Sequence, residues 1–194
     1  MSSSSPSEWQ RGADRDLLQT RIFDVRSSAF RHPARKVAKE FLVIDAPDWA
    51  IVLALTPAGE LVLVRQFRFG AQQISLEFPG GVIEAGEAPA RGAARELREE
   101  TGYTGADPIV LGTVFPNPAI QSNRAHIILI TDAVCTDPLQ WDADEELSLS
   151  LRPVVEVIAL ARAGGMLHAL MLNALFLFEP WWREQQRARD EAGI

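Results

Sequence analysis

The sequence GVIEAGEAPARGAARELREETGY, residues 81–103, decides the fold of this chain. Its first half is rich in glycine and predicts a loop, and its second half predicts a helix. Pro89 suits the first helical turn, where a backbone N–H is not needed. Gly102 suits the residue that ends a helix, because glycine adopts left-handed backbone without strain. The stretch is therefore predicted to run from a loop into a helix and to stop at Gly102.

Side chains on this predicted helix fall into three sectors when they are spaced by about 100° per residue. Leu97 and the alanines form an apolar sector, the arginines form a basic sector, and the third sector holds Glu96, Glu99 and Glu100. Three carboxylates on one side repel each other unless a cation lies among them, and clustered oxygen ligands suit Mg²⁺ or Mn²⁺. The alternative interpretation is an ordinary solvated face of charged residues.

The whole stretch resembles the Nudix box, in which a glycine, a glutamate and an Arg-Glu-aliphatic-x-Glu-Glu-x-Gly run recur at fixed spacing. The matching residues are Gly81, Glu87, Arg95, Glu96, Leu97, Glu99, Glu100 and Gly102. Tyr103 is the one departure, because the family usually has an aliphatic residue there. The resemblance implies an α+β fold, an α/β/α sandwich with a mixed β-sheet. It also implies divalent-metal-dependent hydrolysis of a nucleoside diphosphate that is linked to another group.

The carboxylates of the box are the expected metal ligands. We expect Glu96 and Glu100 to bind Mg²⁺ or Mn²⁺, with Glu99 in the same shell or bridging. Glu87 is expected to bind an additional ion. Arg95 is expected to orient the carboxylates by hydrogen bonds, and Arg95 and Glu99 are therefore taken as catalytic. Phosphoanhydride hydrolysis asks the protein mainly to position water and to neutralise the charge that develops on phosphoryl oxygens.

Three further stretches resemble the ADP-sugar pyrophosphatases of this superfamily. Residues 64–68 read VRQFR, residues 76–81 read LEFPGG, and residues 142–146 form an acidic loop. Those enzymes also carry a proline about fifteen residues beyond the box, and Pro118 lies fifteen residues after Tyr103. By this resemblance Pro118 belongs to the substrate site. The implied substrate is ADP-ribose or another nucleoside diphosphate sugar, and the products are a nucleoside monophosphate and a sugar phosphate.

The same resemblance assigns roles to residues outside the box. It implies that Arg68 and Glu77 contact the substrate and that the Gly80 carbonyl is a metal ligand. It also implies that the acidic loop supplies the general base, either Glu145 or Glu146. The residues alone do not decide the orientation of the Glu77 side chain. It lies in a short apolar strand and can face either outward or into the site.

Two arginines, Arg65 and Arg68, end a predicted strand, where they can hold phosphate through paired hydrogen bonds. The alternative is that they are edge-strand charges that limit aggregation. Gly80 stands where many ADP-ribose enzymes have alanine. The resemblance therefore does not decide between ADP-ribose and another nucleotide sugar as the substrate. Other candidate substrates are a dinucleoside polyphosphate, NADH and coenzyme A. The alternative to an enzyme is a Nudix domain that binds nucleotides without catalysis.

The composition limits the partners of the protein. The chain has 194 residues and a net charge of −7, which argues against binding to nucleic acid or to an anionic membrane. Cys135 is the only cysteine, which excludes an intrachain disulfide and fits a reducing compartment. The polar N-terminus does not resemble a secretory signal. We therefore predict a cytoplasmic protein without nucleic-acid or membrane partners.

The chain is predicted to contain three segments. They are a disordered tail over residues 1–14, an N-terminal antiparallel β-hairpin extension over residues 15–45 with strands at 17–30 and 36–44, and a Nudix hydrolase domain over residues 46–190. A hairpin buries little by itself, and the resemblance implies a homodimer in which the N-terminal strands exchange. The last helix is predicted over residues 166–189, with a kink or break at Pro180.

Overall fold

A computed structural model describes residues 5–138 and 146–193. In chain order the elements are β1 (Gln10–Gln19), β2 (Asp24–Arg31), β3 (Ala38–Asp45), β4 (Trp49–Ala54), β5 (Glu60–Arg68), β6 (Gln73–Glu77), α1 (Pro89–Thr101), β7 (Tyr103–Thr104), β8 (Ile109–Val114), β9 (Ala125–Ile130), β10 (Val134–Cys135), β11 (Ser148–Pro153), α2 (Val154–Arg162) and α3 (Ala169–Ala192). The chain divides into two compact units. The N-terminal unit comprises Met1–Pro47 and Phe115–Asn123, and the box unit comprises Asp48–Val114 and Arg124–Ile194.

The N-terminal unit is built on a three-stranded antiparallel sheet in the order β1-β2-β3. Thr20 turns the chain between β1 and β2. Its hydroxyl oxygen accepts hydrogen bonds from the N–H groups of Ile22 at 3.2 Å and Phe23 at 3.0 Å. The prediction of one continuous strand over residues 17–30 is therefore wrong, because a local hydroxyl turn reverses the chain there.

Strand β1 also changes the predicted boundaries. It begins at Gln10, so the predicted disorder is wrong for residues 10–14. Arg26 on the central strand explains the order, because its guanidinium donates hydrogen bonds to Asp14 at 3.2 Å and to Asp45 at 3.2 Å. The composition of residues 1–14 does not predict such cross-strand pairs. The hairpin predicted for residues 15–45 is accordingly part of a three-stranded sheet, and its role in a dimer stays a prediction.

The described residues of the box unit form three sheets. Their strand orders are β11-β5-β6, β4-β9-β8 and β10-β7. Strands β4 and β9 run parallel, whereas β9 pairs with β8 in the antiparallel direction, so the predicted mixed sheet is confirmed. Both β4 and β9 read as nearly continuous apolar runs, which is typical of strands that are buried on both faces.

Alternate residues of β4 pack on opposite faces of its sheet. Ala50 and Val52 belong to a buried cluster that includes Leu97 of α1. Leu53 belongs to a second buried cluster that includes Phe178 of α3. Because side chains alternate along a strand, the two helices cover opposite faces. This arrangement confirms the predicted α/β/α sandwich.

Helix α1 begins and ends where the sequence predicts. Pro89 is its first residue, and Gly102 follows its last turn with φ at 72°. The N–H of Gly102 donates to the carbonyl of Arg98, which completes the left-handed cap. Ala93 and Leu97 are fully buried against the sheet. Of the three carboxylates, Glu100 is also buried, whereas Glu96 and Glu99 are partly exposed.

Helix α3 continues through Pro180, so the predicted break is wrong. Proline removes the hydrogen bond that would reach back to the carbonyl of residue 176. Phe176 is 77 % exposed, so this carbonyl lies on the solvent side, where water can replace the missing donor. The helix also begins at Ala169, three residues later than predicted. No helix in the described ranges is long and apolar enough to cross a membrane.

Candidate active site

A cleft of about 1170 Å³ opens in the box unit. Its walls come from the starts or ends of several elements: β4, β5, β6, the loop before α1, and the segments that precede β11 and α3. The cleft therefore lies where loops and strand ends meet, which is the usual position of binding sites on a rigid scaffold. Gly80 and Gly81 form part of its lining and connect it to the box.

Two glycines let the carboxylates of α1 approach the backbone closely. The N–H of Gly80 donates a hydrogen bond of 2.9 Å to Glu100. A Cβ on Gly81 would lie 2.6 Å from the carboxyl carbon of Glu96. A Cβ on Gly80 would lie 2.1 Å from the carbonyl oxygen of Ala50. A larger side chain at position 80 would meet the backbone of β4, and Gly80 also has φ at 151°, so glycine is required there by contact and by conformation. At position 81 a larger side chain would displace the Glu96 carboxylate.

The Gly80 carbonyl is directed away from β4. The carbonyls of Pro79 and Gly81, on either side, accept hydrogen bonds from the N–H groups of Val52 at 2.8 Å and Ala50 at 2.9 Å. Successive carbonyls of an extended chain point in opposite directions. The Gly80 oxygen therefore points away from the strand that its neighbours bind, which leaves it suitable as the predicted metal ligand.

Arg95 connects three carboxylates of the box. Its guanidinium donates to both oxygens of Glu87, at 3.2 and 3.0 Å, and to Glu96 at 2.9 Å and Glu99 at 3.0 Å. It also donates to the carbonyl of Val82 at 2.9 Å. The bond from Arg95 lowers the pKa of Glu87, and Glu87 in turn raises the pKa of Arg95. These hydrogen bonds join Arg95 to the box carboxylates, and its orienting role in catalysis stays a prediction.

The structure does not bring the predicted ligands together as a ready metal cluster. Among residues 5–138 and 146–193, no three acidic, histidine or cysteine side chains converge in a geometry that could hold a metal ion. Nη1 of Arg95 binds one oxygen of Glu96 and one of Glu99, so the guanidinium occupies a position between these two carboxylates. Both oxygens of Glu87 also bind Arg95, so the prediction that Glu87 binds an ion stays a prediction.

Arg68 and Glu77 form a two-pronged ion pair in the cleft. Nε of Arg68 donates to Glu77 at 2.9 Å, and Nη2 donates to its second oxygen at 2.6 Å. The Glu77 side chain is fully buried, whereas 42 % of the Arg68 side chain is exposed. Burial acts to raise the pKa of Glu77, but the bonds from Arg68 outweigh it and hold the pKa below its ordinary value. Glu77 therefore faces into the site and not outward.

Arg65 and Glu146 also line the cleft, and both are exposed. Arg65 lies on β5, which is the central strand between β11 and β6, so the alternative of an edge-strand charge is wrong. Glu145 lies outside the described residues. Pro118 is exposed in a turn of the N-terminal unit, and its predicted contact with the substrate stays a prediction.

The sequence analysis does not predict three residues that line the cleft. His168 precedes α3, and its Nδ1 accepts the N–H of Leu170 at 3.2 Å, so it caps the helix. Burial lowers its pKa. Phe67 and Phe69 lie at the end of the β5–β6 hairpin. The signal for His168 was its place two residues before an apolar helical run, and the signal for the phenylalanines was their spacing around Arg68.

A loop and helix that present ordered carboxylates, beside an arginine-lined cleft, define a class of enzyme that hydrolyses phosphate anhydrides with the help of metal ions. Residues 46–169 match the model of the NUDIX domain family. The chain belongs to this family of Nudix hydrolases.

Known proteins resemble this chain over most of its length. An ADP-ribose pyrophosphatase of Bacillus subtilis (strain 168) is 30 % identical over 134 residues, which cover 69 % of this chain and 72 % of the relative. The ADP compounds hydrolase NudE of Escherichia coli (strain K12) is 26 % identical over 88 % of this chain and 91 % of its own length. A crystal structure of an ADP compounds hydrolase shares the fold, with a TM-score of 0.83, 24 % identity, and coverage of 95 % of this chain and 100 % of that chain.

Hydrolases of this family typically need a divalent metal ion. The residues of the box unit fit such an ion by three observations: Glu96 lies against the Gly81 backbone, Glu100 is held by the Gly80 N–H, and the Gly80 carbonyl points away from β4. All three groups offer hard oxygen ligands, which are the ligands that Mg²⁺ and Mn²⁺ prefer.

Proposed function

We propose that the protein hydrolyses the pyrophosphate bond of ADP-ribose or of another nucleoside diphosphate sugar and releases a nucleoside monophosphate and a sugar phosphate. One observation carries the proposal. Gly80 connects the box helix to the cleft, because its N–H binds Glu100 of α1 and the same residue lines the cleft together with Arg68 and Glu77. The two relatives, an ADP-ribose pyrophosphatase and an ADP compounds hydrolase, support the substrate class.

The proposed metal is Mg²⁺, with Mn²⁺ as a substitute, held by Glu96, Glu100 and the Gly80 carbonyl, with Glu99 in the same shell. When bound, the ion neutralises the charge that develops on the phosphoryl oxygens and lowers the pKa of a bound water. Arg95 fixes the carboxylates on its own helix by the bonds described above. Its role is positioning, because its contacts are with carboxylates and a carbonyl.

Arg68 is proposed to bind the pyrophosphate. Glu77 orients its guanidinium through two hydrogen bonds, so the arginine enters the reaction in a fixed position and loses little freedom on binding. Arg65, three residues earlier on β5, offers a second positive charge in the same cleft. The net charge of −7 makes this local positive charge necessary for an anionic substrate.

Glu146 is proposed as the general base that takes a proton from the attacking water, and Glu145 is the alternative from the same acidic loop. Glu146 is exposed and lines the cleft two residues before Ser148, which pairs with Arg65 across β11 and β5. A carboxylate at this position stands on the wall where Arg65 is proposed to bind phosphate. General bases of this kind contribute typically 10²- to 10⁴-fold to the rate.

We further propose a homodimer formed through the N-terminal strands. Every residue of β1 is exposed, and Ile22 and Leu42 are apolar yet 67 % and 60 % exposed. A second copy of the same sheet would cover such surface. Light scattering should give twice the chain mass of 21.4 kDa. The cytoplasmic location stays a prediction.

The experiment that tests the activity is a product assay with Mg²⁺ on ADP-ribose, ADP-glucose, GDP-mannose, UDP-glucose, NADH and diadenosine polyphosphates. Monophosphate release is followed by chromatography, with Glu100→Gln as the inactive control. Turnover confined to the nucleotide sugars supports the proposal and identifies the sugar. Turnover on dinucleotides alone rejects the substrate class. Nucleotide binding without turnover, with Mn²⁺ also tried, rejects the activity.

A further inference from the structure

We infer that Phe69, supported by Phe67, is the platform on which the nucleobase of the substrate stacks. The inference rests on the proposed function, because it assigns the nucleoside end of the same substrate to one end of the same cleft. It concerns two residues whose side chains have no part in the box or in the Arg68–Glu77 pair.

The two rings form a pair at the surface of the cleft. Their centroids are 5.4 Å apart, and their planes cross at 79° in an edge-to-face contact. Phe67 is 45 % exposed and Phe69 is 81 % exposed, and both line the cleft. An edge-to-face contact uses the edge of one ring and therefore fixes the pair while ring surface stays exposed.

The backbone holds Phe69 in place. Residues 69–72 form the turn between β5 and β6, and the carbonyl of Arg68 accepts the N–H groups of Ala71 at 3.1 Å and Gln72 at 2.8 Å. Gln72 adopts φ at 54°, so the turn is tight and closed. Phe69 therefore lies in a hydrogen-bonded turn, where its ring is 81 % exposed.

The register of the hairpin places this pair toward its turn, with Phe67 and Arg68 on opposite faces of β5 and both in the cleft lining. Val64 pairs with Glu77, whereas Phe67 pairs with Ile74. The Arg68 guanidinium binds Glu77, so its charge lies three residues along β6 from the Ile74 position. At about 3.3 Å per residue this is roughly 10 Å. A nucleobase lies one ribose away from its phosphate, so phosphate at Arg68 leaves the base near the hairpin end.

The chemistry favours a base over the sugar at this position. A purine ring stacks on an aromatic face through its π surface, whereas a sugar has no flat face. Among the other aromatic residues of the lining, Phe78 is buried, and Trp49 forms a β-bridge with Val82 beside the box and packs partly buried against the core. Phe69 is therefore the exposed aromatic surface that the nucleoside reaches.

The experiment compares Phe69→Leu with the wild type by calorimetric titration of AMP and, separately, of ribose 5-phosphate. Leucine keeps apolar bulk and removes the ring face. We expect Kd for AMP to rise roughly 5- to 100-fold, equivalent to about 1–3 kcal/mol, and Kd for ribose 5-phosphate to stay unchanged. Phe176→Leu is the matched control, since Phe176 is equally exposed and lies outside the cleft lining.

The same variants separate this inference from the proposed function. In the hydrolysis assay Phe69→Leu should raise KM with little change in kcat, because stacking is equal in ground and transition states. A wild type that binds AMP but hydrolyses nothing removes the proposed function and leaves the inference standing. Unchanged AMP affinity in Phe69→Leu overturns the inference, as does a selective loss in Trp49→Leu. A Phe69→Leu variant that changes the oligomeric mass but not the AMP affinity assigns the ring to a subunit contact and also overturns it.

Discussion

The Arg68 guanidinium is joined to the buried Glu77 carboxylate by two hydrogen bonds, of 2.9 and 2.6 Å. The pair makes the stability of the box unit depend on a residue that is also proposed to bind substrate. Removing one partner of a buried pair costs about 3–5 kcal/mol, and the 42 % exposure of Arg68 reduces this figure to roughly 2 kcal/mol.

We therefore expect Arg68→Met to lower the free energy of unfolding, and Arg68→Met with Glu77→Met to recover most of it, because the uncompensated charge is then gone. Urea unfolding at pH 7 measures both.

The pH dependence of the unfolding free energy gives an independent check. In the wild type the pKa of Glu77 is lowered, so its stabilisation is present above about pH 4.5 and is lost as pH falls below it. In Arg68→Met burial raises that pKa instead, so acid should restore stability. Equal pH profiles for both proteins would contradict the account.

Substitution by alanine should affect stability and kcat differently at three glycines. Gly80→Ala places Cβ 2.1 Å from the backbone of Ala50 at φ 151°, so we expect a loss of about 3 kcal/mol or more. Gly81→Ala meets only the flexible end of Glu96, so stability should change little while kcat falls. Gly86→Ala, at φ 80° with open space around it, is the control and should cost about 1 kcal/mol with full activity. Thermal unfolding and kcat decide the order, and an active Gly81→Ala would argue against a role for Glu96.

Arg95→Lys tests whether the network of Arg95 positions the metal ligands. Lysine keeps the charge but cannot bond Glu87, Glu96 and Glu99 together, because it lacks the planar fork. We expect a loss of roughly 10- to 100-fold in metal affinity or activity. The readout is the Mg²⁺ concentration at half-maximal rate, with Arg98→Lys on the exposed side of α1 as the control. A normal metal dependence in Arg95→Lys would show that charge alone suffices.

The sequence predicts local features well and register-dependent features poorly. Helix α1 depends on Pro89, Gly102 and apolar spacing, all within one segment, so its boundaries are predicted correctly. The orientation of Glu77 depends on its pairing with Val64, which places it beside Arg68 on one face. A three-residue apolar stretch carries no information on which partner it meets. For the same reason the ring contact between Phe67 and Phe69 cannot be predicted without the structure of the hairpin.

The predicted last helix shows how a local signal can mislead. Its apolar run includes Met166, so the helix is predicted to begin there and His168 is placed inside it. In the structure Met166 is buried ahead of the helix, and His168 caps Ala169–Ala192 through its ring nitrogen. Apolar periodicity indicates which residues are buried. Burial continues beyond the N-terminal end of α3, so the pattern does not mark where the helix begins. The sequence therefore predicts His168 to be an ordinary residue inside the helix.

His168 provides the last prediction, since its two roles in stability can be separated. His168→Ala removes the cap on Leu170 and should cost about 1 kcal/mol, whereas His168→Asn keeps an acceptor for the same N–H and should cost much less. The pKa of His168 is lowered, by burial and by the charge of Arg68, against an opposing effect of Glu77.

The folded state therefore favours the neutral ring, and the unfolded state binds the proton more readily. The stabilisation is complete above about pH 6.5 and is lost as pH falls below that value toward the lowered pKa. Urea unfolding of the wild type should weaken over this interval, and His168→Asn should show a flatter profile because its side chain does not titrate. An identical slope in the two proteins would mean that another group carries the titration.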